Sequence, residues 1–473
     1  MEKLNVCLMN DSFPPVIDGV ANTVVNYANI IKKDGLGYPF VVTPKVPDAD
    51  DSDFDYPVIR YHSLNIGDFA GGYRAGVPFS GTTLVESLKQ MPNIIHTHCP
   101  VISTMIAREL RTKCDAPVVF TYHTKFDVDI AKAVKSKHLQ ADAAKIFVSN
   151  IAACDEVWVV SEGAGQNLKS LGYQGEYRVM NNGVDFPKGR ATEEAVISAA
   201  KEFGVRDDVP ILMFVGRLFW YKGIRIILDA LKILQEQMDF QMVFIGKGAD
   251  EQEIKAYTTE LGLDDKVLFT GPIYDREKLR AMNTRGDLFL FPSTYDTNGL
   301  VVREAAACGL PAIVIKDSCA AEGITDGRNG FFCEENAPSM ASKLSEILKD
   351  MDYLHEVGQH AMDEIYISWQ DAIHTAFERY HVIIENKKAG LYKPAPFSFS
   401  GDFYKGTANL LIAIRKARTA SINGFLGIRE VMEDSFEAIT DAFKNANKKV
   451  INAVHGTSHL DDFDDVGNQD RYI

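Results

Sequence analysis

Short, β-rich apolar runs alternate with longer segments of helical pattern from the start of the chain to about residue 190. NVCLM, YPFVVTP, NIIHTH, PVVFTYH and EVWVVS are the strand-like runs, and Gly19 to Lys33 is the first helical segment between them. Runs this short and apolar suit strands buried on both faces, and the stretches between them suit crossover helices, so the pattern predicts a parallel sheet. The pattern then begins again. ILMFVG, MVFIG, VLFTG, LFLFP and AIVI follow at similar intervals between residues 211 and 315, with a helical segment after most of them. The expected fold class is α/β: two Rossmann-like doubly wound domains in tandem, binding ligands in a central cleft where the carboxyl ends of both sheets face each other.

The expected first domain spans residues 1–190 and the second 191–386, with the passage between them in Asp185 to Asp208. A helix around Trp369 to Asn386 is expected to close the second domain, and 387–402, rich in Lys, Gly, Pro and Ser, reads as a linker. In 403–473, Met432, Phe436, Ile439, Phe443, Ala446, Val450 and Ala453 recur at alternating four- and three-residue steps, the seam of an apolar helix. That helix needs a partner: Ala408 to Ala417 as a hairpin, the main body, or a second copy in a homo-oligomer. The chain ends in the acidic DDFDDVGNQDRYI.

Composition narrows the class. A chain of 473 residues, 46% hydrophobic, can bury full cores. No run approaches the roughly 20 apolar residues of a membrane span, and MEKLNVCLMNDSFPP reads as a strand, not a signal peptide, so the expected compartment is the cytoplasm. A net charge of −15 argues against nucleic acid and against general attraction to an anionic membrane. A local exception is Ile130 to Ile151, where Lys132, Lys135, Lys137, His138 and Lys145 stand beside Val134, Ala141 and Phe147. Such a stretch reads either as a peripheral membrane contact at the inner face or as an ordinary solvated helix. The seven cysteines are scattered without Cys-x-x-Cys spacing and read as mostly buried thiols.

The richest chemistry lies in STYDTNGLVVREAAACGLP, Ser293 to Pro311, where Asp296 and Glu304 stand eight positions apart. Asp296 follows the strand-like run Asp287 to Pro292, and Glu304 lies inside the Ala-rich helix that begins near Gly299. The amides of Asn298, Gly299 and Leu300 at that helix start would point between the two carboxylates, so phosphate and hydroxyl groups could be held together. A capped core helix with two surface acids is the alternative.

FVGRLFWYKG places Arg217 and Lys222 five residues apart just after a strand. A planar fork and a mobile point charge together suit a diphosphate leaving group; solvated surface cations are the alternative. In DSFPPVIDGVANTV, Asp18 and Gly19 precede a helix, so backbone could approach a ligand there, or simply turn. His123 ends the strand PVVFTYH and faces the expected cleft, whereas His96 and His98 in NIIHTH read as structural. VSEG, with Ser161, and NNGVD are further strand-end loops, and GKG at Gly246 to Gly248 reads as a turn.

Taken in order, DSFPPVIDGVANTV, YHT, VSEG, NNGVD, VGRLFWYKG, GKG and STYDTNGLVVREAAACGLP resemble glycosyltransferase family 4, retaining enzymes of the GT-B fold, over about residues 3–385. The resemblance implies that Arg217 and Lys222 bind the donor diphosphate, Glu304 the ribose, Asp296 the transferred sugar, and the amides of Asn298, Gly299 and Leu300 the phosphate and sugar. His123 would touch the sugar near its anomeric face, and Gly19 would close over the diphosphate. The expected cofactor list is empty: the UDP-sugar is a co-substrate, and two cations with helix dipoles replace a metal. The opening segment and YHT are similar to bacterial enzymes that glucosylate diacylglycerol, which implies UDP-glucose as donor and a lipid or carbohydrate acceptor. One departure concerns the donor sugar. The first acid is usually Glu followed by Pro-Phe, and here it is Asp296 followed by Thr297-Asn298. Other enzymes on the same fold, and a non-catalytic sugar-nucleotide sensor, stand as alternatives.

Overall fold

The structure is a computed structural model that describes residues 2–392 apart from 17, 48, 66–73, 77–80, 128–129 and 131–136. The expected tail, 403–473, and most of the expected linker lie outside the described residues.

Seven parallel strands form the first sheet, in the order Val58–Tyr61, Gly37–Pro44, Leu4–Met9, Ile94–Thr97, Val118–Tyr122, Glu156–Val159, Arg178–Val179. Six form the second, in the order Val267–Gly271, Gln241–Ile245, Ile211–Val215, Leu288–Phe291, Ala312–Ile315, Phe331–Cys333. The near-continuous Val, Ile, Leu and Phe of Leu4–Met9, Ile211–Val215 and Leu288–Phe291 is buried on both faces, as strands covered by helices on each side require. In each sheet the chain starts near the middle, runs outward one way, then returns to build the other half. The reversal falls between Leu4–Met9 and Ile94–Thr97 in the first sheet, and between Ile211–Val215 and Leu288–Phe291 in the second. Loops leaving the carboxyl ends of those strand pairs diverge to opposite faces and open a crevice, and three of them carry DSFPPVIDGVANTV, VGRLFWYKG and STYDTNGLVVREAAACGLP.

One expectation is overturned. The helix Trp369–Lys388 does not close the second domain; it crosses back and completes the first. Trp369, Ile373, Ala376, Phe377, Tyr380 and Ile383 are buried in one cluster with Leu4, Val24, Tyr27 and Trp158. Arg379 clamps Glu156 through two hydrogen bonds of 2.9 and 2.6 Å, and His374 reaches Asp34 at 2.7 Å. The apolar stripe dictates an amphipathic helix but not which sheet it covers. The first domain leaves an apolar face beside helix Gly19–Lys33, and this stripe fills it. The helix also runs through Lys388, two residues into the stretch read as linker.

Candidate functional site

Two glycines seat the cationic loop of the second domain. Gly246 has φ +142°, and a Cβ there would lie 1.9 Å from the Gly216 carbonyl oxygen. Gly223 has φ +78°, and a Cβ there would lie 2.3 Å from the Pro292 carbonyl oxygen. These close approaches pin Gly216–Gly223 against the ends of two neighbouring strands. Lys222 thereby meets the loop that follows Leu288–Phe291: its Nζ lies 2.5 Å from Asp296 Oδ1, while Ser293 Oγ donates to Asp296 Oδ2 at 2.5 Å. Arg217 stays exposed, with its guanidinium over the Phe219 ring at 5.4 Å and Nη2 3.5 Å from the Tyr221 hydroxyl. Among the described residues it forms no ion pair.

Gly299 adopts the left-handed conformation, φ +59°, and starts the helix Leu300–Ala307. Asn298 is buried; its Oδ1 accepts from Arg303 Nε at 3.3 Å, and its Nδ2 has no partner among the described residues. One turn into the helix, Glu304 Oε1 accepts from Arg276 Nη2 at 2.8 Å. Arg276 also stands 3.8 Å from Asp185 and 4.2 Å above the Phe186 ring. Burial pushes the Glu304 carboxyl above its ordinary range, and the Arg276 guanidinium opposes that push. Arg276 was missed in the sequence: REKLR opens an ordinary helix capped by Asp275, and nothing local marks its partner.

In the first domain, Asp18 caps the helix Gly19–Lys33 and accepts from Val20 N and Ala21 N, both at 2.8 Å. Gly19 is exposed, and among the described residues nothing beyond its chain neighbours lies within 4 Å of where a Cβ would be. Ser161 caps the helix Glu162–Ser170 through Ala164 N at 3.0 Å, and its hydroxyl donates to the Thr297 carbonyl at 2.5 Å. His123 is buried; its Nε2 meets His98 Nδ1 at 2.9 Å.

The two domains touch at this point. Thr297 Oγ1 donates to the His123 carbonyl at 2.7 Å, and Lys125 Nζ to the Thr294 carbonyl at 3.0 Å. Glu322 of the second domain accepts from Glu162 N and Gly163 N, both at 2.7 Å, and so sits on the N-terminus of a first-domain helix. Thr297 thus joins His123 and Ser161 to the Asp296–Leu300 loop, and Asp296 joins that loop to Lys222. Lys125 and Glu322 were not singled out in the sequence, and Thr297 stood out there only as the residue after Asp296; cross-domain partners have no fixed spacing to betray them. Of the basic stretch, Lys132, Val134 and Lys135 lie outside the described residues, as does the His138 side chain. Lys137 is exposed, and Lys145 stands 3.7 Å from Asp142. Among the described residues no helix is long and apolar enough to cross a membrane.

Burial pushes His123 down to about 3, against the pull of the Asp18 carboxylate, and lowers His96 and His98 as well. The unfolded chain therefore binds more protons at these positions as the pH falls below about 6.5, and at His123 this holds down to about pH 3. Their contribution to stability is complete above about pH 6.5 and is lost as the pH falls. In His123→Asn, the dependence of unfolding free energy on pH between 6 and 5 should be shallower by about 1.4 kcal/mol per pH unit. Denaturant titrations at the two pH values check it, and parallel profiles for variant and wild type would contradict it.

Comparison with known proteins gives the chain its family and fold. Residues 17–187 match the family described as Glycosyltransferase Family 4, and residues 197–363 match Glycosyl transferases group 1. The alpha-monoglucosyldiacylglycerol synthase of Acholeplasma laidlawii is 24% identical over 76% of this chain and 92% of its own. The Streptococcus pneumoniae protein of the same name is 26% identical over 66% and 70%. A D-inositol 3-phosphate glycosyltransferase of Corynebacterium jeikeium is 26% identical over 68% and 82%. Among solved structures, a Rickettsia africae glycosyltransferase has a TM-score of 0.64 at 18% identity, covering 82% of this chain and all of that one. Anabaena HepE in complex with UDP and glucose has a TM-score of 0.57 at 17% identity, covering 82% and 99%. These structures share the GT-B fold.

Proposed function

Because the chain belongs to the glycosyltransferases, with a Family 4 domain ahead of a group 1 domain, and is a hexosyltransferase, we propose that it moves glucose from UDP-glucose to an acceptor hydroxyl of diacylglycerol or a related glycolipid precursor, with retention of configuration. The observation that carries the reading is the cluster of Lys222, Asp296 and Ser293 at the start of helix Leu300–Ala307, with Arg217 exposed on its rim.

Each side chain has a part in that chemistry. Lys222 and Arg217 neutralise the diphosphate as its bond to the sugar breaks, and the amides at Asn298, Gly299 and Leu300 add the positive end of the helix. Asp296 holds Lys222 toward the cleft and accepts from sugar hydroxyls at the same time. Glu304 receives the ribose hydroxyls on Oε2, while Arg276 on Oε1 opposes the upward push of burial on the carboxyl. His123 contacts the sugar from the first domain, and Asp18 and Gly19 shape the wall beside it. The departing phosphate takes the acceptor proton on the same face, so no separate base is assigned. Ser161, Thr297 and Glu322 keep the two walls together and restrict water, which limits hydrolysis of the donor.

The enzyme acts without a resident metal in this account, in the cytoplasm or at the inner membrane face, where the stretch from Lys137 would meet anionic lipid. A soluble acceptor is a second reading, favoured by the likeness to the inositol 3-phosphate enzyme. The pure protein incubated with UDP-, GDP- and ADP-sugars, with and without diacylglycerol, separates them. Nucleoside diphosphate release from UDP-glucose, increased by the lipid and matched by a glycolipid of the expected mass, is the predicted result. Release that ignores lipid but rises with inositol 3-phosphate would favour the second reading, and donor binding without any turnover would sink both. Glu304→Ala should weaken UDP binding by about tenfold, the worth of one hydrogen bond to a charged group. Calorimetry checks this, and unchanged affinity would remove the ribose role.

A further inference from the structure

Behind His123 lies a stack of buried rings that the proposed chemistry does not use. His96 is satisfied at both nitrogens, with Nδ1 2.6 Å from the Tyr380 hydroxyl and Nε2 2.6 Å from Thr121 Oγ1. Its ring lies 4.0 Å from that of His98, and Tyr27 abuts His98 edge-on at 5.6 Å, so the His98 ring cannot turn freely. His98 Nδ1 meets His123 Nε2 at 2.9 Å, and His98 Nε2 is sealed from solvent without a partner among the described residues.

These contacts decide which nitrogen carries each proton. Both rings are neutral, since burial lowers both, so one nitrogen of the pair donates and the other accepts. If His123 Nε2 donated, His98 Nδ1 would be bare and the His98 proton would sit on Nε2, an N–H buried with nothing to receive it. If His98 Nδ1 donates, the orphan at Nε2 is only a lone pair. Orphaned buried N–H groups are the rarer and costlier defect. We propose that His98 locks His123 in the tautomer protonated on Nδ1, so that His123 presents a neutral N–H donor to the cleft and cannot act there as a base. His123 Nδ1 is bonded to nothing among the described residues and is not sealed in, which leaves it for a ligand oxygen. His98 is a positioning residue for His123, and this role rests on the reading that His123 serves the sugar.

Long-range proton–nitrogen correlation spectra of the full chain, labelled with 15N-histidine and recorded at neutral pH, test the tautomer without any substrate. His98 and His123 signals are assigned by their loss in His98→Asn and His123→Asn. The proposal predicts protons on Nδ1 and bare Nε2 in both rings; a proton on His123 Nε2, or on both of its nitrogens, overturns it. Turnover provides the second arm. The side-chain amide introduced by His98→Asn can still donate where Nδ1–H stood, whereas the side chain introduced by His98→Leu cannot. His98→Leu should lower kcat by about tenfold with donor KM nearly unchanged, and His98→Asn should recover most of the loss. Equal losses in the two variants overturn the positioning role. Wild-type turnover in His123→Ala would overturn the use of His123 in the cleft, a failure the spectra distinguish from a wrong tautomer.

Discussion

Lys222→Met should lower turnover by about 10²–10³-fold, the loss seen when one preorganised charge is removed from the position where negative charge develops. Nζ lies 2.5 Å from Asp296 and the Lys222 side chain is only 12% exposed, so solvent does not readily replace it. The substitution also leaves the Asp296 carboxylate with Ser293 alone, which repels the incoming diphosphate and so adds to the loss. Arg217→Ala should act in the same direction, from a more exposed position. Steady-state kinetics with the preferred donor measure both, beside a denaturant midpoint to confirm the fold. Turnover of Lys222→Met within twofold of wild type would remove the cation from the mechanism.

Gly246→Ala should destabilise the protein by about 2–6 kcal/mol, adding the strain of a positive φ to an overpacked contact. The clash is with backbone: the new Cβ would stand 1.9 Å from the Gly216 carbonyl oxygen, which no rotamer change can move. Because Gly216 leads directly into Arg217, the same displacement should reduce activity even where the fold survives. An unchanged denaturant midpoint would show that the two loops part without cost, contrary to the account.

The sheets were legible because their central strands are buried and read as continuous apolar runs. ILMFVG and LFLFP stand where Ile211–Val215 and Leu288–Phe291 pair in the second sheet. Shorter edge strands escaped, since Arg178–Val179 is two exposed residues and Val58–Tyr61 mixes Arg60 into its run. The helix Trp369–Lys388 was legible as a helix, but its destination depended on a gap in the first domain's core, which no local pattern encodes. At the site, Asp296, Glu304, Arg217 and Lys222 announced themselves by falling at strand ends and a helix start. Their partners did not. Arg276 meets Glu304 from 28 positions away, and Glu322 meets the Glu162 amide from 160 away. His96 and His98, read as structural, are buried and ring-stacked as that reading requires, yet His98 touches the one histidine that the sequence assigned to the cleft.

A crystal structure of the full chain with UDP bound tests the central claim most directly. The account predicts the diphosphate at the start of helix Leu300–Ala307, within hydrogen-bond reach of Lys222 Nζ and the Arg217 guanidinium, with the ribose on Glu304. A nucleotide bound elsewhere, or one whose diphosphate touches neither cation, would contradict it.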